Sequence, residues 1–152
     1  IAAYISFRYD RRYAFLALVA LGHDVAIVCG VFAWLGVVLH LEVDSLFAVS
    51  LLTIAGYSVN DTVVVFDRIR ERSKGAADLP LSLQVDQAVS ATLTRTLYTS
   101  GTTLLPLLAL VFFGGATLYW FAIALALGVV VGSWSSIALA PSLLTLWDRS
   151  LD

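Results

Sequence analysis

Long apolar runs separated by short polar segments make up most of the chain. A helix needs about 20 apolar residues to cross a bilayer, and four runs reach that length, at residues 13–39, 45–66, 94–113 and 118–147. A shorter apolar stretch, residues 1–7, ends at a cluster of arginines, so we interpret residues 1–12 as the end of one more transmembrane helix and a loop. The pattern predicts an all-α polytopic membrane bundle over residues 13–152, with four complete transmembrane helices plus the end of a preceding one.

Residues 67–93, between the second and third runs, begin with basic side chains and continue as an amphipathic segment. Beyond Pro80, apolar or small side chains recur every three or four residues with polar ones between them. This spacing favours a helix that starts at the proline and lies along a membrane surface. The recurring positions are Leu81, Val85, Ala88, Val89 and Thr92. We expect a separate interfacial segment on the cytoplasmic side.

The composition also indicates a membrane protein, because 60% of the residues are hydrophobic and 13% are charged, against about a quarter charged in soluble domains. No basic patch with interleaved aromatic residues is present, which argues against a nucleic-acid partner. The single cysteine, Cys29, excludes a disulfide framework. The sequence contains no methionine, so we expect it to be a piece of a longer chain.

Apart from Arg95, the basic residues lie on one set of alternating polar segments. The links at residues 40–44 and 114–117 contain none. Because positive side chains stay on the cytoplasmic side, we expect residues 8–12, 67–94 and 148–152 to be cytoplasmic. The basic residues in these segments are Arg8, Arg11, Arg12, Arg68, Arg70, Arg72, Lys74 and Arg149.

Asp61 is the candidate functional residue of the second run. It lies six residues before Asp67, about 9 Å of helix rise from the cytoplasmic end, with Tyr57 one turn earlier and Asn60 beside it. An ionisable group at membrane depth is costly and usually functional. Burial favours its neutral form and a nearby cation its charged form, so a carboxylate balanced between the two can load and release a proton. The alternative is a static ion pair or hydrogen-bond anchor.

Arg95, at the start of the third run, is the expected partner of Asp61. Thr99, Thr102 and Thr103 continue its helix face at steps of three and four residues, and Thr92 and Thr96 extend this polar stripe. A row of hydroxyls can carry water through a bundle. The alternative for Arg95 is that it snorkels to the lipid headgroups.

Asp24 and the neighbouring His23 interrupt the first run near its middle. Adjacent helical residues point in directions about 100° apart, and we expect Asp24 to face the bundle interior. We include Asp24 with Asp61 and Arg95 in a candidate proton pathway.

Small residues recur every four positions along the last run, a spacing that lets helices approach closely. They are Ala124, Gly128, Gly132, Ser136 and Ala140. We predict helix packing, with Gly128, Gly132 and Ser136 at its centre.

The sequence offers no catalytic motif. The Gly-x-Gly-Asp loop of intramembrane aspartyl proteases is absent, no His, Cys and carboxylate cluster has metal-ligand spacing, and no Gly-rich phosphate loop follows a strand. We therefore expect neither an enzyme nor a bound cofactor or metal.

Four motifs, in order, resemble those of the SecF family of membrane subunits of the bacterial protein-export machinery. Residues 56–71 (GYSVNDTVVVFDRIRE) resemble its fourth-helix motif and residues 94–104 (TRTLYTSGTTL) the start of its fifth helix. Residues 23–25 (HDV) resemble its third-helix motif and residues 113–115 (FGG) its short outer turn. The resemblance covers the whole chain.

The resemblance implies a subunit of the resistance-nodulation-division superfamily in the bacterial inner membrane. With SecD, separate or fused, such a subunit uses the proton-motive force to drive late steps of preprotein translocation. It implies a proton-conducting role for Asp61 and Arg95, with a further acid on SecD. The implied partners are SecD, the SecYEG translocon, SecA-dependent preproteins and YajC.

Two alternatives stay open: a proton-coupled exporter of small molecules from the same superfamily, and a non-transporting translocon scaffold. A carboxylate among hydroxyls also leaves sodium open as the coupling ion.

Overall fold

The structure, a computed structural model, describes residues 11–75 and 78–149. Its elements are helices α1 (Arg11–Leu39), α2 (Ser45–Gly75), α3 (Leu81–Phe113), α4 (Gly115–Trp134), a π-helical turn (Ser135–Leu139) and α5 (Ala140–Arg149). Four helical segments of the described residues are long and apolar enough to cross a membrane: α1, α2, α3 and Gly115–Asp148. The all-α membrane bundle predicted from hydropathy is confirmed, while the expected helix end at residues 1–7 lies outside the described residues.

The links between the helices follow from local residue chemistry. His40 adopts a positive φ of 54° and ends α1, a conformation that histidine tolerates better than most residues. Asp44 then caps α2, because its Oδ1 accepts a hydrogen bond from the Phe47 backbone N–H at 3.2 Å. Gly115 has a φ of 74°, and a Cβ on Gly114 would lie 2.4 Å from the Leu110 carbonyl oxygen. Only glycines therefore permit so tight a turn between α3 and α4.

Helices α2 and α3 are longer than the sequence pattern predicts. Helix α2 continues from the predicted end at Phe66 to Gly75, and α3 joins the amphipathic segment and the third apolar run into one helix. Neither glycine nor proline interrupts residues 81–100, so nothing breaks the helix where two elements were expected. Val85 and Ala88 are buried in the bundle core, so at these positions the apolar side of the segment packs against protein.

The core consists of two apolar clusters with a polar layer between them. The first cluster lies near the basic end of the bundle and includes Ala20 on α1, Val65 on α2 and Ala140 on α5. The second includes Val28 on α1 and Ile54 on α2, together with Val129 on α4. Between these positions on the same helices lie the buried polar residues Asp24, Ser58, Thr62, Ser135 and Ser136.

The predicted small-residue stripe lies where α4 meets α2. A Cβ on Gly128 would lie 2.3 Å from Ile54 Cγ1, and a Cβ on Gly132 would lie 3.3 Å from Ser58 Cβ. A stripe with a spacing of four drifts by about 40° per step on an α-helix of 3.6 residues per turn. The π-helical turn holds more residues per turn and reverses this drift, so Ser136 and Ala140 are buried as well.

Candidate functional site

Asp61 is buried on α2 at the side that faces α3. Only 7% of the residue is exposed, and Oδ2 is buried without a hydrogen-bond partner. Arg95 on α3 acts on it electrostatically. The two ion pairs among the described residues, His23–Asp24 and Arg68–Glu71, include neither of them. Asp61 is therefore a buried carboxylate with a cation nearby and no fixed partner.

The other predicted polar residues around Asp61 divide between the interior and the surface. Tyr57 is partly buried and donates a hydrogen bond from its hydroxyl to Ser100 Oγ on α3 at 3.3 Å. Asn60 and Thr102 are exposed. Thr99 and Thr103 are only partly buried, and both donate to carbonyl oxygens of their own helix.

The predicted row Thr99–Thr102–Thr103 consequently does not form a hydroxyl chain through the bundle. The hydroxyl-bearing residues of α3 that are buried lie one helical row away, at Thr92, Thr96 and Ser100. The sequence-based prediction included Thr92 and Thr96 as extensions of the polar stripe but missed Ser100. These residues are four positions apart, a spacing that places them on one face of the helix and could have indicated the row.

Asp24 lies inside the polar layer, as expected from the sequence, and is completely buried. Its Oδ2 accepts hydrogen bonds from Ser58 Oγ on α2 at 2.5 Å and from Ser135 Oγ at 2.7 Å. Its Oδ1 lies 3.0 Å from His23 Nδ1. One carboxylate thus joins α1, α2 and the π-helical turn. We call Asp24, Ser58 and Ser135 the carboxylate clamp.

Neighbouring serines at the start of the π-helical turn reach different helices. Ser135 bonds Asp24 on α1, while Ser136 Oγ lies 3.1 Å from Thr62 Oγ1 on α2. Two residues before Ser135, Ser133 Oγ lies 2.5 Å from Ser100 Oγ on α3. These contacts were not predicted from the sequence, although three serines within residues 133–136 of an apolar span were a visible signal.

A groove on the basic side of the bundle separates α2 from α3 and reaches Arg95. It has a volume of about 370 Å³. It is lined by Val64, Asp67, Arg68, Glu71, Ala91, Thr92 and Arg95; we call it the α2–α3 groove. Arg95 thus lines an open groove and also acts electrostatically on the buried Asp61. Asp61 itself does not line the groove, so Arg95 is the residue that links the two surroundings.

Comparison with known proteins places the chain in an established family. Residues 1–150 match the family model of the protein export membrane protein SecD/SecF, C-terminal region. The chain is 75% identical over 146 residues to the protein translocase subunit SecF of Prochlorococcus marinus, covering 96% of this chain and 46% of that protein. It is 45% identical over 149 residues to the protein translocase subunit SecDF of Thermus thermophilus, covering 98% and 20%.

A solved structure shares the fold as well. The crystal structure of SecDF, a translocon-associated membrane protein from Thermus thermophilus, superposes with a TM-score of 0.91 at 44% identity. That comparison covers 97% of this chain and 20% of the SecDF chain. The present chain therefore spans about half the length of the SecF relatives and a fifth of the fused ones.

Proposed function

Because the chain belongs to the SecD/SecF family of protein export membrane proteins, we propose that it is the membrane portion of a SecF subunit that uses the proton-motive force. In this proposal the complete protein drives late steps of preprotein translocation across the bacterial inner membrane. Asp61 exchanges protons, and Arg95 sets how readily it does so. The basic segments lie on the cytoplasmic side, as the positive-inside rule predicts.

The observation that carries the proposal is the unpartnered Oδ2 of Asp61. A buried oxygen without a donor leaves the charged form of the carboxylate poorly stabilised. The Arg95 charge acts in the opposite direction. Small movements of α2 against α3 would change this balance, so proton exchange and helix movement become coupled.

We propose a supporting role for Asp24 in the same pathway. Its two carboxylate oxygens already have partners on three sides, which favours a fixed anchor over a group that exchanges its proton in each cycle. The clamp would hold α1, α2 and the π-helical turn together while the side chains of Asp61 and Arg95 respond to the proton.

The proposed partners follow from the family and from the exposed faces. Helix α3 exposes Leu97, Tyr98, Leu105 and Phe112, an apolar face suited to lipid or to further transmembrane helices. SecD, separate or fused, is the proposed neighbour, since the relatives include both SecF and SecDF. The SecYEG translocon, SecA-dependent preproteins and YajC complete the proposed assembly.

The test replaces Asp61 by asparagine in the full-length protein, in cells that lack their own copy. Asp61→Asn keeps the size of the side chain but removes titration. We expect the part of preprotein export by membrane vesicles that an imposed proton gradient drives to fall by about a hundredfold or more, the lower end of the effects of removing a proton-transfer group. Asp86→Asn, an exposed aspartate of α3, is the matched control. Export that stays fully responsive to the gradient in Asp61→Asn would overturn the proposal.

A further inference from the structure

The α2–α3 groove contains a carboxylate that the proposed mechanism does not use. The charged groups that line it are Asp67, Arg68 and Glu71 on α2 and Arg95 on α3, and no lining residue comes from α1, α4 or α5. Arg68 Nη1 donates a hydrogen bond to Glu71 Oε2 at 2.6 Å, so these two charges offset each other. Asp67 takes part in none of the hydrogen bonds or ion pairs found between described side chains. Asp67 and Arg95 are the opposite charges that remain in the groove.

The helix register places Arg95 between two carboxylates. Tyr57 on α2 bonds Ser100 on α3, and because the two helices run in opposite directions, counting from this pair places Asp61 level with Thr96. The backbone of Arg95 therefore lies about one residue, or about 1.5 Å, nearer to the basic end of the bundle than the backbone of Asp61 does. Asp67 lies six residues beyond Asp61, about 9 Å further along the same helix. An arginine side chain that lies along the groove has Asp61 towards the bundle and Asp67 towards the opening.

We propose that Asp67 is the second counter-ion of Arg95 and that the arginine alternates between Asp61 and Asp67. The proposal deepens the proposed function and rests on it. When Asp61 carries a proton it is neutral, and Arg95 pairs with the ionised Asp67. When the proton leaves Asp61 as hydronium in the water of the groove, the carboxylate becomes charged and attracts Arg95 back. The α2–α3 groove is then the route between Asp61 and the solvent on the basic side.

The energetic reason for a second carboxylate is the cost of an unpaired cation. Arg95 stays charged throughout the cycle, and at the edge of the membrane a guanidinium without a counter-ion is unfavourable. Without Asp67, Arg95 would remain beside Asp61 and hold it in the charged form, so loading would slow. With Asp67, an ionised carboxylate is available to Arg95 in both protonation states of Asp61.

The experiment measures proton-driven preprotein export and proton release in vesicles that contain full-length variants assembled with their partner subunit. A trapped pH dye reports the protons, and rates are divided by the amount of protein in the vesicles. Asp67→Asn is expected to lower both rates by about fivefold or more, in the range of typical coupling between sites. Asp67→Glu keeps the charge and is expected to restore most of the rate. Asp86→Asn is again the matched control.

A double-variant comparison separates this role from general electrostatics. If Asp67 acts through Arg95, the double variant Asp67→Asn, Arg95→Gln has the same rates of export and proton release as Arg95→Gln alone. Equal rates for Asp67→Asn and Asp86→Asn, or losses that simply multiply with Arg95→Gln, would overturn the inference while leaving the role of Asp61 intact. If instead Asp61→Asn still responds to the gradient, the proposed function fails, whatever Asp67 does.

Discussion

Two carboxylates are buried in this bundle, and their surroundings differ in almost every respect. Asp24 has partners for both oxygens and joins three helical elements. Asp61 has a buried oxygen with no hydrogen-bond donor and lies near a cation that also lines an open groove. Burial is similar in both cases. The supply of hydrogen-bond donors therefore distinguishes the two carboxylates, and it favours a structural role for Asp24 and an exchanging role for Asp61.

The largest expected contrast comes from truncating each carboxylate. Asp24→Ala removes two hydroxyl bonds and the contact with His23 and leaves Ser58 without its acceptor. Hydrogen bonds within membranes contribute about 0.6 kcal/mol on average and up to about 1.7 kcal/mol. We expect the free energy of unfolding in lipid–detergent mixtures to fall by about 2–3 kcal/mol. Asp61→Ala loses no hydrogen bond at Oδ2, so we expect this variant to change the free energy of unfolding by less than about 1 kcal/mol. Equal losses in the two variants would remove the distinction.

A smaller effect is expected from the donors of the carboxylate clamp. Ser58→Ala removes the shorter of the two bonds to Asp24 Oδ2 and is expected to lower the free energy of unfolding by about 1 kcal/mol. The Ser58→Ala, Ser135→Ala double variant should lose more than the sum of the single losses, because Oδ2 then has no hydroxyl donor. Ser142→Ala, at an exposed serine of α5, is the control. Strictly additive losses would show that the two serines do not share Asp24.

The smallest effect is expected at Thr62, which belongs to the same polar layer but touches neither carboxylate. Thr62→Val keeps the shape of the side chain and removes the bond to Ser136, whose hydroxyl still donates to the Gly132 carbonyl. We expect a loss of about 0.6 kcal/mol, against almost none for Thr53→Val on the exposed face of α2. A loss as large as that of Asp24→Ala would assign the stability of the layer to its hydroxyls instead of its carboxylate.

The number and approximate positions of the four spans could be predicted from sequence, because hydropathy reports directly on what a bilayer requires. The extent of α2 and α3 could not. A 3.6-residue period is the same for a helix on a membrane surface and for the end of a longer helix, and only tertiary contacts show that Val85 and Ala88 face protein.

The candidate site could be predicted in part. Asp24, Asp61 and Arg95 are conspicuous because charges are rare in apolar runs. Their partners depend on which helices are neighbours, and that information is absent from any single span. Ser135 and Ser136 were missed as a pair because the sequence does not show which helices lie beside each of them, and a π-helical turn leaves no periodic signature.

The π-helical turn also constrains which changes of length the last span tolerates. Because the π-helical turn holds one residue more than an α-helical turn does, deleting one residue from Ser135–Leu139 would restore a regular α-helix and leave the helix downstream in nearly the same orientation. Ala140 and Leu144 would stay in the first cluster, whereas a one-residue deletion elsewhere in the span would rotate everything downstream by about 100°. The chain thus carries the equivalent of a single-residue insertion at this point, and a span that lacks this residue would keep the same core.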